Sequence, residues 1–134
     1  MSLAKTVYHY LFAGKKNKID QEILNNWESA GRPVPPPHLV KQLTISDIQK
    51  KSQYGLFIET GTYLGEMVEA QRANFRRVYS IELSPELFES ARKKFLSDTR
   101  VTILQGDSSD VLPTLLGQIN EPGIFWLDGH YSEG

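Results

Sequence analysis

The chain has 134 residues, with 15 Lys+Arg against 16 Asp+Glu for a formal net charge of −1, and 40% of it is hydrophobic, the profile of one ordinary globular domain. It has no Lys/Arg-dense tract to hold a phosphate backbone, so no nucleic-acid partner is expected. It has no cysteine, which excludes disulfides, thiolate zinc sites and a cysteine nucleophile, and no apolar run near the roughly 18 residues of a membrane helix, so a cytoplasmic protein without a membrane partner is expected.

Met1-Ser2-Leu3 and Glu133-Gly134 resemble residues left by an expression vector and are kept out of the fold argument. Residues 1–54 read as a helical appendage or lid. Ile23, Leu24 and Trp27 recur at helical spacing behind an Asp20 cap, and Gly31-Arg32-Pro33 stops the helix. Pro35, Pro36 and Pro37 favour a stiff polyproline connector. A second helix follows, with Leu39, Leu43, Ile45 and Ile48 as its apolar stripe. His9 and His38 are isolated and read as surface residues, and Trp27 as a core anchor.

From residue 55 to residue 134 short apolar runs alternate with amphipathic stretches. Leu56-Phe57-Ile58 is a buried strand ending at Glu59, and Glu66 to Asn74 a helix with Met67, Val68, Ala70 and Ala73 for its core face. Val78 to Ile81 is the second strand, ending at Glu82. Ser84-Pro85-Glu86 then opens a helix: serine caps an orphan amide, proline suits the first turn, and an acid suits the positive end of the dipole. That helix turns Leu87, Phe88, Ala91 and Phe95 inward and pairs Glu89 with Lys93 outside. Val101 to Leu104 is the third strand, Asp110 to Leu116 a short helix, and Gly123 to Leu127 the fourth strand, ending at Asp128. This alternation requires right-handed crossovers and predicts an α/β fold, a three-layer sandwich around a mostly parallel sheet, preceded by the helical segment.

Open parallel sheets bind ligands beyond the carboxyl ends of their strands. All four ends here carry an acid: Glu59, Glu82, Asp107 and Asp128. The first turn, Glu59-Thr60-Gly61-Thr62-Tyr63-Leu64-Gly65, has glycines where a loop must pass close beneath a ligand. It lacks the GxGxxG spacing of a dinucleotide site, because Tyr63 and Glu66 stand where glycines would be needed, and this disfavours a pyrophosphate. Glu82, at the second strand end, can accept both hydroxyls of a ribose. A nucleoside without a pyrophosphate is the implied ligand.

In this order and spacing, ETGTYLG, IELSPE, GDSSDVLP and WLDGHYS resemble the motifs of class I S-adenosylmethionine (SAM)-dependent methyltransferases, which have a Rossmann-like fold. The resemblance runs from Gly55 to Ser132. It implies that Gly61, Thr62, Tyr63 and Gly65 pass beneath the methionine part with Glu59 toward its amino group. It also implies Glu82 on the ribose, Leu83 against the adenine, and Gly106, Asp107 and Ser108 toward the adenine amino group. Tyr63 departs from the pattern, since the family often has a third glycine there.

Asp128-Gly129-His130 resembles the DGH signature of bacterial O-methyltransferases acting on sugars or secondary metabolites. Residues two apart on an extended strand end face one side, so Asp128 and His130 are the candidate catalytic pair. They are also the candidate ligands of a divalent metal such as Mg, which would lower the pKa of an acceptor hydroxyl; without metal, His130 is the candidate general base. The plain alternative gives Asp128 a cofactor contact and His130 a turn. The expected function is methyl transfer from SAM to an oxygen of a small-molecule acceptor. The alternatives are a non-catalytic nucleoside-binding or interaction module and, on a related fold, oxidative chemistry. The expected sheet has fewer strands than the family's, so the core is expected to be incomplete at its C-terminus. A homo-oligomer would then cover the open sheet edge.

Overall fold

The computed structural model describes residues 18–128, which fall into two compact units dividing between Ser52 and Gln53. His9, Gly129, His130 and both chain ends therefore lie outside the described residues. The first unit pairs α1 (Lys18–Ser29) with α2 (His38–Ser52) around buried Leu24 and Leu43, with Trp27, Leu39 and Val40 packed on them. Trp27 is the expected anchor, and its Nε1 donates to the Pro33 carbonyl at 3.0 Å. Asp20 is not the cap, because the chain is already helical at Lys18 and Asp20 sits in the first turn, where its charge meets the positive end of the dipole. The prolines do not form a straight polyproline run: a bend at Val34 and Pro35, whose peptide bond is cis, turns the connector into α2.

The second unit is a four-stranded, all-parallel sheet in the order β3-β2-β1-β4, built from β1 (Leu56–Thr60), β2 (Arg77–Glu82), β3 (Val101–Gln105) and β4 (Gly123–Leu127). Three helices connect them: α3 (Glu66–Gln71), α4 (Pro85–Lys94) and α5 (Ser108–Leu116). The first two crossovers step the same way across the sheet, and the third steps back over β1 to β4. With right-handed connections this puts α3 and α4 on one face and α5 on the other. The register agrees. Phe57, Val78 and Ile124 stand side by side on the first face, where Phe57 stacks on Phe75 with ring centroids 5.2 Å apart. Leu56, Ile58 and Tyr79 share the second face with Leu104 and with Leu112 and Leu115 of α5. Burying a side chain such as Phe57 or Ile58 completely stabilises the fold by about 1.5–3 kcal/mol.

Ser84 caps α4 as expected: the Leu87 amide donates to its Oγ at 3.3 Å, and Pro85 occupies the first turn. The outer pairing of Glu89 is mainly with Arg92, through two bonds of 2.7 and 2.8 Å, and Lys93 is only 3.9 Å away. Two helix bounds differ from expectation. The α3 helix ends at Gln71, where the chain turns and the Asn74 amide donates to the Gln71 carbonyl, so Ala73 is exposed. The α5 helix begins at Ser108 because Asp107, read as a ligand contact, also caps it. Arg72 pairs with Glu69 and Asp98, and Arg76 with Glu121.

Candidate functional site

Beyond the carboxyl ends of the strands lies a cleft of about 330 Å³ lined by Thr60, Gly61, Ile81, Glu82, Leu83, Gly106, Asp107, Ser108, Ser109 and Asp128. The sequence pointed to seven of these. Glu59, Thr62, Tyr63 and Gly65 are not among the lining residues; they lie in β1 and in the turn that follows it. Thr60, Ile81 and Ser109 were missed. Thr60 fixes the end of β4, since the Asp128 amide donates to its Oγ1 at 2.9 Å, and a threonine closing a buried strand was the only available signal.

The glycine loop owes its path to three left-handed residues. Gly61 has φ 84°, Tyr63 φ 50° and Gly65 φ 81°. Tyr63 thus adopts a backbone that a glycine would take freely, a conformation that costs a residue with a Cβ about 1–2 kcal/mol. The loop is held against β2, because the Gly61 and Thr62 amides both donate to the Ile81 carbonyl, at 2.8 and 3.3 Å. Gly65 is required twice over, since a Cβ there would lie 2.8 Å from the Phe95 ring.

Glu82 is 1% exposed and its carboxylate is clamped by the backbone. The Tyr63 amide donates to Oε1 at 2.8 Å and the Ser84 amide to Oε2 at 2.9 Å. A carboxylate has about four acceptor positions, so each oxygen retains one for hydroxyls arriving in the cleft. Leu83 beside it is half exposed. Across the cleft, Asp107 Oδ1 accepts from the Ser109 amide at 2.9 Å and the Ser109 hydroxyl at 2.8 Å. These bonds, the backbone one foremost, hold its carboxyl below the usual carboxylate range.

Glu59 is different. It is 2% exposed, and burial pushes its carboxyl up to about 8, aided by the nearby charges of Asp128 and Glu82 and opposed by a hydrogen bond from Ser80. The Ser80 hydroxyl donates to Glu59 Oε1 at 2.7 Å, and Ser80 Oγ lies 2.6 Å from Thr62 Oγ1. Ser80 is a further residue that sequence reasoning missed. It stands directly opposite Glu59 in the β1–β2 register, and a hydroxyl inside an apolar strand needs a partner, but the register is invisible in the sequence.

Asp128 lies at the cleft and His130 lies outside the described residues, so their convergence is not on view. Among the described residues no three His, Cys, Asp or Glu side chains come together to hold a metal ion. No described helix is long and apolar enough to cross a membrane.

The fold matches solved structures closely. An O-methyltransferase from Bacillus cereus in complex with SAH superposes with a TM-score of 0.61 at 19% identity, covering 94% of this chain and 60% of that one. An SAH-bound methyltransferase from Podospora anserina superposes at 0.57 and 20% identity, covering 93% and 56%. The O-methyltransferase TomG from Streptomyces achromogenes, involved in tomaymycin synthesis and solved with SAM, superposes at 0.57 and 18% identity, covering 96% and 63%. The chain has the Rossmann-like fold of these methyltransferases. It spans about 60% of the length of the structures it matches. No family model and no curated protein matches the sequence.

Proposed function

We propose that this chain is a SAM-dependent methyltransferase that transfers a methyl group to an oxygen of a small acceptor such as a sugar or a secondary metabolite. The observation that carries the reading is the Glu82 carboxylate, buried at the end of β2, fixed by two backbone amides and lining the cleft. Its remaining acceptor positions suit the two hydroxyls of a ribose, and its immobility means that little ordering is needed on binding. Supporting it are the solved neighbours, which include complexes with SAM and SAH.

In this reading Leu83 offers its exposed side chain to the adenine, Gly106, Asp107 and Ser108 border the adenine edge, and the turn from Gly61 passes beneath the methionine part. Bound there, the cofactor supplies an electrophilic methyl group on a sulfonium. Asp128, just past the end of β4, would help to orient the acceptor hydroxyl, and His130 would take its proton. A divalent metal would rest on Asp128 and His130 alone, and the described residues do not complete a ligand set, so no step is assigned to one.

The test is incubation with methyl-labelled SAM and a panel of hydroxylated acceptors, with magnesium and with chelator. Label appearing on an acceptor oxygen is expected. SAH binding without transfer to any acceptor would replace the reading by a nucleoside-binding module.

A further inference from the structure

Between Glu59 and Glu82 runs a continuous set of polar contacts that the binding of a nucleoside does not itself require. Ser80 Oγ lies 2.7 Å from Glu59 Oε1 and 2.6 Å from Thr62 Oγ1, and at the second contact either hydroxyl can donate. All three side chains are buried, with Ser80 at 0%, Glu59 at 2% and Thr62 at 4% exposure. Thr62 immediately precedes Tyr63, whose left-handed backbone aims its amide at Glu82 Oε1. The Thr62 carbonyl on the other side accepts the Gly65 amide at 2.8 Å. A strained residue persists only where its surroundings determine it, and here the restraint on Thr62 comes from Ser80 and from the Ile81 carbonyl.

We propose that the buried chain Thr62–Ser80–Glu59 is a positioning device that holds the Tyr63 amide on Glu82 and thereby sets the carboxylate for the hydroxyls of an incoming nucleoside. Thr62 and Ser80 are positioning residues, acting through Tyr63 and Glu82 and not by touching the ligand. Removing the Thr62 hydroxyl without changing its volume takes away Ser80's 2.6 Å partner and frees the peptide before Tyr63 to relax out of its left-handed conformation. The inference rests on the nucleoside reading for its purpose, but its structural half is measurable without ligand.

The experiment uses the whole chain, labelled with nitrogen-15, as wild type, Thr62→Val, Thr62→Ser and Ser80→Ala. The Tyr63 amide resonance reports its bond to the Glu82 carboxylate, and calorimetric titration with SAH reports binding. In Thr62→Val the Tyr63 amide is expected to shift and SAH affinity to fall about tenfold, the worth of one ordinary hydrogen bond, while Thr62→Ser restores both. Ser80→Ala is expected to give the same amide shift, and decides the matter if Thr62→Val does not fold. A Tyr63 amide that stays in place in the hydroxyl-less variants, or an SAH affinity that stays at the wild-type value while only unfolding stability drops, overturns the proposal. Failure of the wild type to bind SAH would instead overturn the nucleoside reading, with the Tyr63 amide still deciding the positioning claim.

Discussion

The ends of β1 and β2 each carry a buried glutamate, and the two are treated in opposite ways. Glu82 receives two backbone amides and faces a cleft. Glu59, one strand away, receives a single serine hydroxyl, is buried, and has its carboxyl pushed up to about 8 chiefly by desolvation. Backbone amides do not rearrange and do not titrate, so they suit a carboxylate that must stay in place for a ligand. A lone hydroxyl compensates burial only in part. The difference teaches that two acids at neighbouring strand ends, alike in sequence, are set apart by whether the backbone turns its amides toward them.

The largest expected effect is Glu82→Ala, which strands the Tyr63 and Ser84 amides and removes the proposed ribose acceptor. Affinity for SAH should fall at least about a hundredfold in calorimetric titration, since hydrogen bonds to charged groups contribute about 1.5–3 kcal/mol each. A change under threefold would break the contrast. Gly65→Ala comes next: its Cβ would meet the Phe95 ring at 2.8 Å in a left-handed backbone, and urea unfolding should show a loss of about 2–3 kcal/mol.

Glu59 sharpens the contrast through pH. Its pKa is raised in the folded chain relative to the ordinary 4.5, so between about pH 4.5 and 8 the folded state holds a proton that the unfolded state has released. Stability from this group therefore falls as pH rises across that window, by up to about 1.4 kcal/mol per pH unit, and levels off on either side. Glu59→Gln imitates the protonated form and retains an oxygen for the Ser80 hydroxyl. Unfolding curves collected across this window should be flatter for the variant than for wild type; parallel curves would mean that Glu59 is solvated after all. The smallest effect belongs to Tyr63→Gly, which relieves the left-handed strain and loosens the unfolded chain, changing unfolding stability by less than about 1 kcal/mol.

Much of the sheet unit was legible because its signals are local. The run Leu56-Phe57-Ile58, the start at Ser84-Pro85-Glu86 and the run Gly123 to Leu127 each report on a few neighbouring residues, and the structure places strand, cap and strand there. What escaped is of two kinds: local side-chain bonds that apolar spacing does not report, and contacts distant in sequence. Gln71 ends α3 as a buried polar residue bonded to the Asn74 side chain, a stop that helical spacing cannot reveal. Asp107 was legible as a strand-end acid but not as a helix cap. Glu59 and Glu82 looked alike as acids at strand ends, and only the register, which sets Ser80 against Glu59, and the loop path, which brings Tyr63 to Glu82, separate them.

The most direct measurement of the central claim is calorimetric titration of SAH into the wild type, Glu82→Ala and Glu59→Gln side by side. Saturable binding by the wild type and by Glu59→Gln, with binding by Glu82→Ala lost or weakened at least about a hundredfold, is the predicted result. Equal binding by all three proteins, or none by the wild type, would contradict the account.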